Sequence, residues 1–253
     1  MLKGKIIVVT HKDYDMPAGD VYLPVCVGTG IPTLSGKFQP DNTGEYISGL
    51  NRTYCELTAI YWAWKNLDLK ALDYVGVAHY RRHFSLTPKA RTLDKAITAQ
   101  ELEDLGPGVY VTPKRTYLSS IENHYIHSLK GYEMIHAKDI ARLREAIHTC
   151  SPEYDAAANQ VLTGRSAHML NMFIMSSEDF AAYCAWLFPV IDRVVALSAD
   201  REDQRRYAGA LSEFCLDIWL NRNGRTCREL PLLETERVSY VGKVIAYVKR
   251  KLG

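Results

Sequence analysis

"YVGVAHYRRHF", residues 74–84, begins as a run of apolar and small residues and ends in a cluster of His79, Arg81, Arg82 and His83. A short β-branched run without polar alternation predicts a strand covered on both faces, the pattern of an inner strand in a parallel sheet. In open α/β sheets, ligands bind outside the carboxyl ends of the strands, so His79, Arg81 and Arg82 would face a cleft. A guanidinium is always charged and meets phosphate oxygens as a two-pronged donor, which makes adjacent arginines suited to a diphosphate. The alternative is that the arginines are solvated or pair with a carboxylate such as Glu56.

Working outward from that stretch, "KIIVVT" (5–10), "YLPVCVG" (22–28), "VYVTP" (109–113) and "NMFIM" (171–175) are short, β-branched or aromatic, and bounded by turn residues. They predict further strands. Between them, "TYCELTAIYWAWKN" (53–66) sets Leu57, Ile60, Tyr61 and Trp64 at helical spacing, with Thr53 and Glu56 placed to form a capping box. Its aromatics read as core. Residues 179–197 and 205–224 predict two more helices, the second stopping at Asn223-Gly224. Residues 40–51, rich in Gly, Asn and Asp, predict a long loop of the kind that often carries function. Strands alternating with helices point to α/β layers.

The chain has 253 residues, 47% of them hydrophobic, enough for a sizeable core in one large domain, placed at 1–239 with a short tail at 240–253. A net charge of +2 gives no chain-wide attraction to nucleic acid, so any anion site must be local. The six cysteines are scattered without a CxxC or CxxH pair, which predicts reduced thiols, a cytoplasmic setting and no metal centre. No charged and apolar leader precedes residue 5, and no apolar run approaches the ~18 residues of a membrane span.

The segments "VTHKDYDMP", "DNTGEYIS", "NRTYCELTAIYWAWKN", "YVGVAHYRRHF", "RSAHMLNMFIMS" and "LSEFCLDIWL" resemble, in order and spacing, a family of bacterial capsular and exopolysaccharide biosynthesis proteins. That family was long filed as a domain of unknown function and includes galactofuranosyltransferases. The resemblance covers residues 4–240. It implies a GT-A-like nucleotide-sugar-binding domain with a mostly parallel central sheet flanked by helices, followed by C-terminal helices. It also implies transfer from a UDP-sugar, UDP-galactofuranose first, to a lipid-linked glycan acceptor. Enzymes of the GT-A fold commonly hold a divalent metal on an Asp-x-Asp pair at a strand end. Here that place holds His79, Tyr80, Arg81 and Arg82, which implies that fixed guanidinium charge serves the diphosphate in place of a metal cofactor. A non-catalytic scaffold of a polysaccharide-assembly complex is the alternative function.

Several residues of the matching segments are candidates for substrate contact. His11 and Lys12 follow the first strand and would meet base or phosphate, or form a plain polar loop. Asp41, Asn42, Thr43 and Gly44 offer short polar side chains beside a glycine, suited to ribose or sugar hydroxyls or to a turn. Asn51, Tyr54 and Glu56 stand at a helix start, while Arg165, His168 and Asn171 precede a strand. An inverting transfer needs a carboxylate to take the acceptor's proton. Glu213, in a largely apolar helix, is the favoured base, with Asp217 on the same face; pairing to an arginine is its alternative role, and Asp15 and Asp41 are in reserve.

The last segment, "YVGKVIAYVKRKLG" (240–253), combines an apolar stripe with Lys243, Lys249, Arg250 and Lys251. It predicts either a helix lying on an anionic membrane or one packed on the domain.

Overall fold

The computed structural model describes residues 2–127 and 135–236, and the tail expected at 240–253 lies outside them. The fold is built outward from β1 (Gly4–Thr10), whose Ile6, Ile7 and Val8 are almost wholly excluded from solvent. Each such side chain contributes ~1.5–3 kcal/mol by leaving water. Parallel partners flank it, β2 (Tyr22–Cys26) on one side and β4 (Tyr74–His79) on the other, with β3 (Gln39–Pro40) continuing beyond β2. Past β4 come β9 (Phe173–Ser176), β6 (Val109–Val111) and β10 (Cys227–Glu229), giving the order β10-β6-β9-β4-β1-β2-β3. Along this path β9 is antiparallel to both neighbours and the other pairings are parallel. The carboxyl ends of β1, β2, β4, β6 and β10 therefore share one edge, where β9 begins. This mostly parallel sheet flanked by helices is the α/β fold the sequence predicts.

The predicted strand 22–28 ends early, at Cys26, because Val27 leads into a short 3-10 turn over Gly28–Gly30. Gly28 has φ +52°, and a Cβ on Gly30 would lie 2.7 Å from the His11 Cα, so a side chain at 30 would displace the loop after β1. After His79 the chain turns and returns as β5 (Arg82–Phe84), antiparallel to β4. β11 (Leu232–Glu234), which the sequence reading did not foresee, runs antiparallel along β5. A separate two-stranded sheet pairs β7 (Arg115–Thr116) with β8 (Ser166–Ala167), antiparallel.

The predicted helix 53–66 is two helices, α1 (Asn51–Tyr54) and α2 (Leu57–Asn66), separated by Cys55 at φ 53°, ψ −128°. The Thr53–Glu56 capping box is absent: α2 has no side-chain cap, and Glu56 is bonded to Asn171 instead. A tertiary contact supplies the reason for the break. Gly209 packs so tightly on the kink that a Cβ there would stand 2.9 Å from both the Cys55 Cβ and the Tyr54 carbonyl oxygen.

Ala137–Cys150 and Asp155–Thr163 form α3 and α4, and the two predicted helices follow as α5 (Ser177–Leu197) and α6 (Tyr207–Arg222). α6 is apolar almost all round, as befits a helix enclosed by neighbours, and Gly224 at φ +59° follows its end. Contrary to the expectation that no apolar run reaches membrane length, α5 is long and apolar enough to cross a bilayer. Its apolar residues instead pack within the core, against α2, α3 and β4.

Candidate active site

The centre of the shared edge lies where β1 and β4 end, with Val9 opposite His79 in register. The His79 Nε2 is buried without a hydrogen-bond partner among the described residues. Burial first, then Arg82, Arg81 and Arg206, push the His79 pKa down to about 3, so the ring is neutral near pH 7. His11 packs edge-on to Tyr80 at 5.3 Å and is lowered too, by partial burial and then by Lys12, Arg81 and Arg206. Two neutral imidazoles thus sit within a field of cations. Lys12 itself is exposed.

The alternatives left open for the arginines resolve toward carboxylates in this structure, but not toward Glu56. Arg81 Nη1 meets Glu236 Oε2 at 3.0 Å, and Arg82 Nε meets Glu234 Oε1 at 3.1 Å. Glu234 also bridges to Arg91, and Tyr14 donates its hydroxyl proton to Glu236. The pairing of β11 with β5 brings these groups together by setting Glu234 opposite Arg82.

A second cluster starts from two left-handed residues, Leu170 at φ 86° and Asn171 at φ 50°. Val77 pairs with Phe173, the first residue of β9, so this turn lies just outside the strand, at the edge where β4 ends. The Asn171 Nδ2 lies 2.7 Å from Glu56 Oε1, 2.8 Å from Ser212 Oγ and 3.2 Å from the Gly209 carbonyl. One step earlier, the Leu170 N–H donates to Glu213 Oε2 at 3.2 Å. The kink therefore holds both carboxylates, Glu56 and Glu213, close to the Cys55 thiol, whose pKa is pushed up to about 12 by burial first and then by Glu56. Cys55 is accordingly a neutral thiol, not a nucleophile.

Other predicted residues lie elsewhere along the edge or behind it. His168 stands near the ends of β6 and β10, and it is fully engaged. Its N–H and Nδ1 contact the Asp217 carboxylate at 2.8 and 2.5 Å, and its Nε2 stands 3.5 Å from Glu229. Asp217, expected beside Glu213, is thus committed to His168. Arg165 is exposed and donates to the Tyr117 carbonyl. Toward β3, Asp41 is buried and accepts from Ser48 at 2.7 Å; burial raises its pKa. Asn51 donates to the Cys55 carbonyl and Thr58 Oγ1.

Asn42 is exposed, while Thr43 accepts from Trp62 Nε1 and Gly44 at φ +65° abuts Asn66, which pins this loop to α2. The Tyr54 hydroxyl turns away to Asp192 at 2.6 Å, and Asp15 is exposed. Among the described residues, no three His, Cys, Asp or Glu side chains gather to hold a metal.

Sequence reasoning missed Arg206, Glu234 and Glu236. Arg206 had a signal, the second Arg-Arg pair of the chain at 205–206; the two glutamates had none, because nothing local marks them as partners of residues near position 81.

Residues 5–224 match a family described as a domain of unknown function, DUF4422. No protein with a curated description matches the chain. Among solved structures, the apo structure of the bifunctional glycosyltransferase WbbM matches with a TM-score of 0.76 at 24% identity, over 93% of this chain and 46% of that one. The chain spans about half the length of that structure, and the likeness is one of fold.

Proposed function

From the premise that the chain belongs to the DUF4422 family, we propose that it is a glycosyltransferase that binds a nucleotide sugar along the carboxyl edge of β1 and β4. One observation carries the reading: the guanidinium groups of Arg81, Arg82 and Arg206 gather around the neutral His79 at the end of the central strands, beside the carboxylates Glu56 and Glu213. The fold it shares with a solved glycosyltransferase supports it.

In this reading the acceptor hydroxyl oxygen bonds to the anomeric carbon while its proton passes to Glu213. The bond from that carbon to the diphosphate oxygen breaks, and its electron pair leaves with the nucleoside diphosphate. Guanidinium charge stabilises the departing group in place of a divalent cation, as fixed positive groups do best where charge develops. Asn171, itself held by Ser212, orients Glu56 for contact with a sugar hydroxyl. UDP-galactofuranose is the preferred donor and a lipid-linked glycan the preferred acceptor, at the inner face of the cytoplasmic membrane.

Thermal shift with UDP, GDP, CMP and their sugars, each with manganese or EDTA, tests the reading. UDP and a UDP-sugar are expected to raise the melting temperature, and transfer is expected to survive EDTA. Absence of any nucleotide effect would remove the transferase reading, and strict manganese dependence would remove the metal-free version of it.

A further inference from the structure

We infer that Arg206 is a diphosphate-binding residue of this site, the cation that first grips the donor's phosphates. The inference rests on the glycosyl-transfer reading for the identity of the anion. Three arginines place their charge on His79: Arg82, Arg81 and Arg206. Two of them are already held, Arg82 by Glu234 and Arg81 by Glu236. Arg206 is exposed, and its guanidinium makes no hydrogen bond or ion pair with the described residues. Its neighbour Arg205 differs in this respect, being locked onto Asp203 at 2.8 Å.

The backbone around Arg206 shows the same selection. The residue sits at φ 60°, ψ −6°, immediately before α6, where glycine or asparagine would be at ease and arginine is strained. Strain of this kind persists where surrounding structure enforces it, and it gathers at functional sites. Here the enforcement is visible. The Arg206 N–H donates to the Arg52 carbonyl at 2.9 Å, its own carbonyl accepts from Ala210 at 2.9 Å, and Gly209 seats α6 against Cys55. The guanidinium therefore projects from a fixed base near His11 and His79, both of which feel its charge. An anion in that place meets an unneutralised cation, the positive start of a 16-residue helix, and neutral imidazole groups. Planar, two-pronged donation matches a phosphate better than an ammonium would.

Titration calorimetry with pyrophosphate and with UDP tests this on the full chain. R206G is the decisive variant, because glycine relieves the left-handed backbone. Its melting temperature is expected to equal or exceed that of the parent, while its affinity for both probes falls about 10- to 100-fold, as loss of a charge-assisted contact implies. R206K keeps charge without the fork and should fall between them, and R205Q should match the parent. Undiminished UDP and pyrophosphate binding by R206G would overturn the assignment and leave the transferase reading standing. If the parent chain binds neither UDP nor GDP nor ADP, that reading fails and the assignment falls with it.

Discussion

Arg81 and Glu236, 155 positions apart, meet at 3.0 Å beside the carboxyl end of β4, so the arginine that the sequence assigns to a phosphate rests on a carboxylate of its own chain. Glu234 does the same for Arg82. A diphosphate held by these arginines, as proposed, would have to exchange with the two carboxylates. Both partners of the Arg81 pair are about two-fifths exposed, and a pair so hydrated contributes ~0–1 kcal/mol. E236Q should therefore leave stability nearly unchanged and raise UDP affinity up to about fivefold. Calorimetry beside urea unfolding checks it, and a UDP affinity that falls in E236Q would refute competition between Glu236 and the donor for Arg81.

Glu213 is held by the Leu170 N–H on the strained turn before β9. If it takes the acceptor's proton, E213Q should keep UDP affinity and lose about 10²–10⁴-fold in turnover. Single-turnover transfer assays with matched binding measurements separate the two. Near-normal turnover would move the role to another carboxylate, Glu56 first.

Asn171 uses one amide nitrogen to serve Glu56, Ser212 and the Gly209 carbonyl, in an enclosed place. N171A removes a buried donor that Glu56, Ser212 and the Gly209 carbonyl share, at a cost of about 1–3 kcal/mol. The urea midpoint should fall with an unchanged m-value. A neutral result would show that water replaces the amide freely.

Burial keeps His79 neutral, with its pKa near 3 in the folded chain against 6.5 as the ordinary value, and His83 is held down to about 4 in the same way. The unfolded chain therefore binds more protons in the interval below 6.5. Stability from this source is complete above pH 6.5 and declines as pH falls toward 4 and then 3, by at most ~1.4 kcal/mol per pH unit for each ring. Replacing His79 with Gln should flatten the acid limb of the stability curve by one ring's share. Urea unfolding at pH 7.0, 5.5 and 4.5 reads the slope, and an unchanged slope in the variant would refute the buried neutral ring.

What the sequence determined by itself is local. The apolar run 74–79, its β-branched counterparts, the 3.6-residue periodicity of α2 and the long apolar stretches of α5 and α6 mark the elements, because backbone pattern and side-chain spacing act between near neighbours. The position of the cations was legible too, since a basic cluster that follows an inner strand must stand at the carboxyl edge of the sheet, where His79, Arg81 and Arg82 are found. Tertiary structure alone decided the rest. Helix propensity runs unbroken through "TYCELTAIYWAWKN", yet Cys55 breaks it to admit Gly209 from 154 positions away in sequence, and Glu56 leaves its expected cap for Asn171, 115 positions on. β11 and the two residues after it supply Arg82 and Arg81 with glutamates, leaving Arg206 as the member of their trio without a partner among the described residues. Such partners are chosen by how the layers pack, and packing joins residues whose separation along the chain leaves no periodic trace.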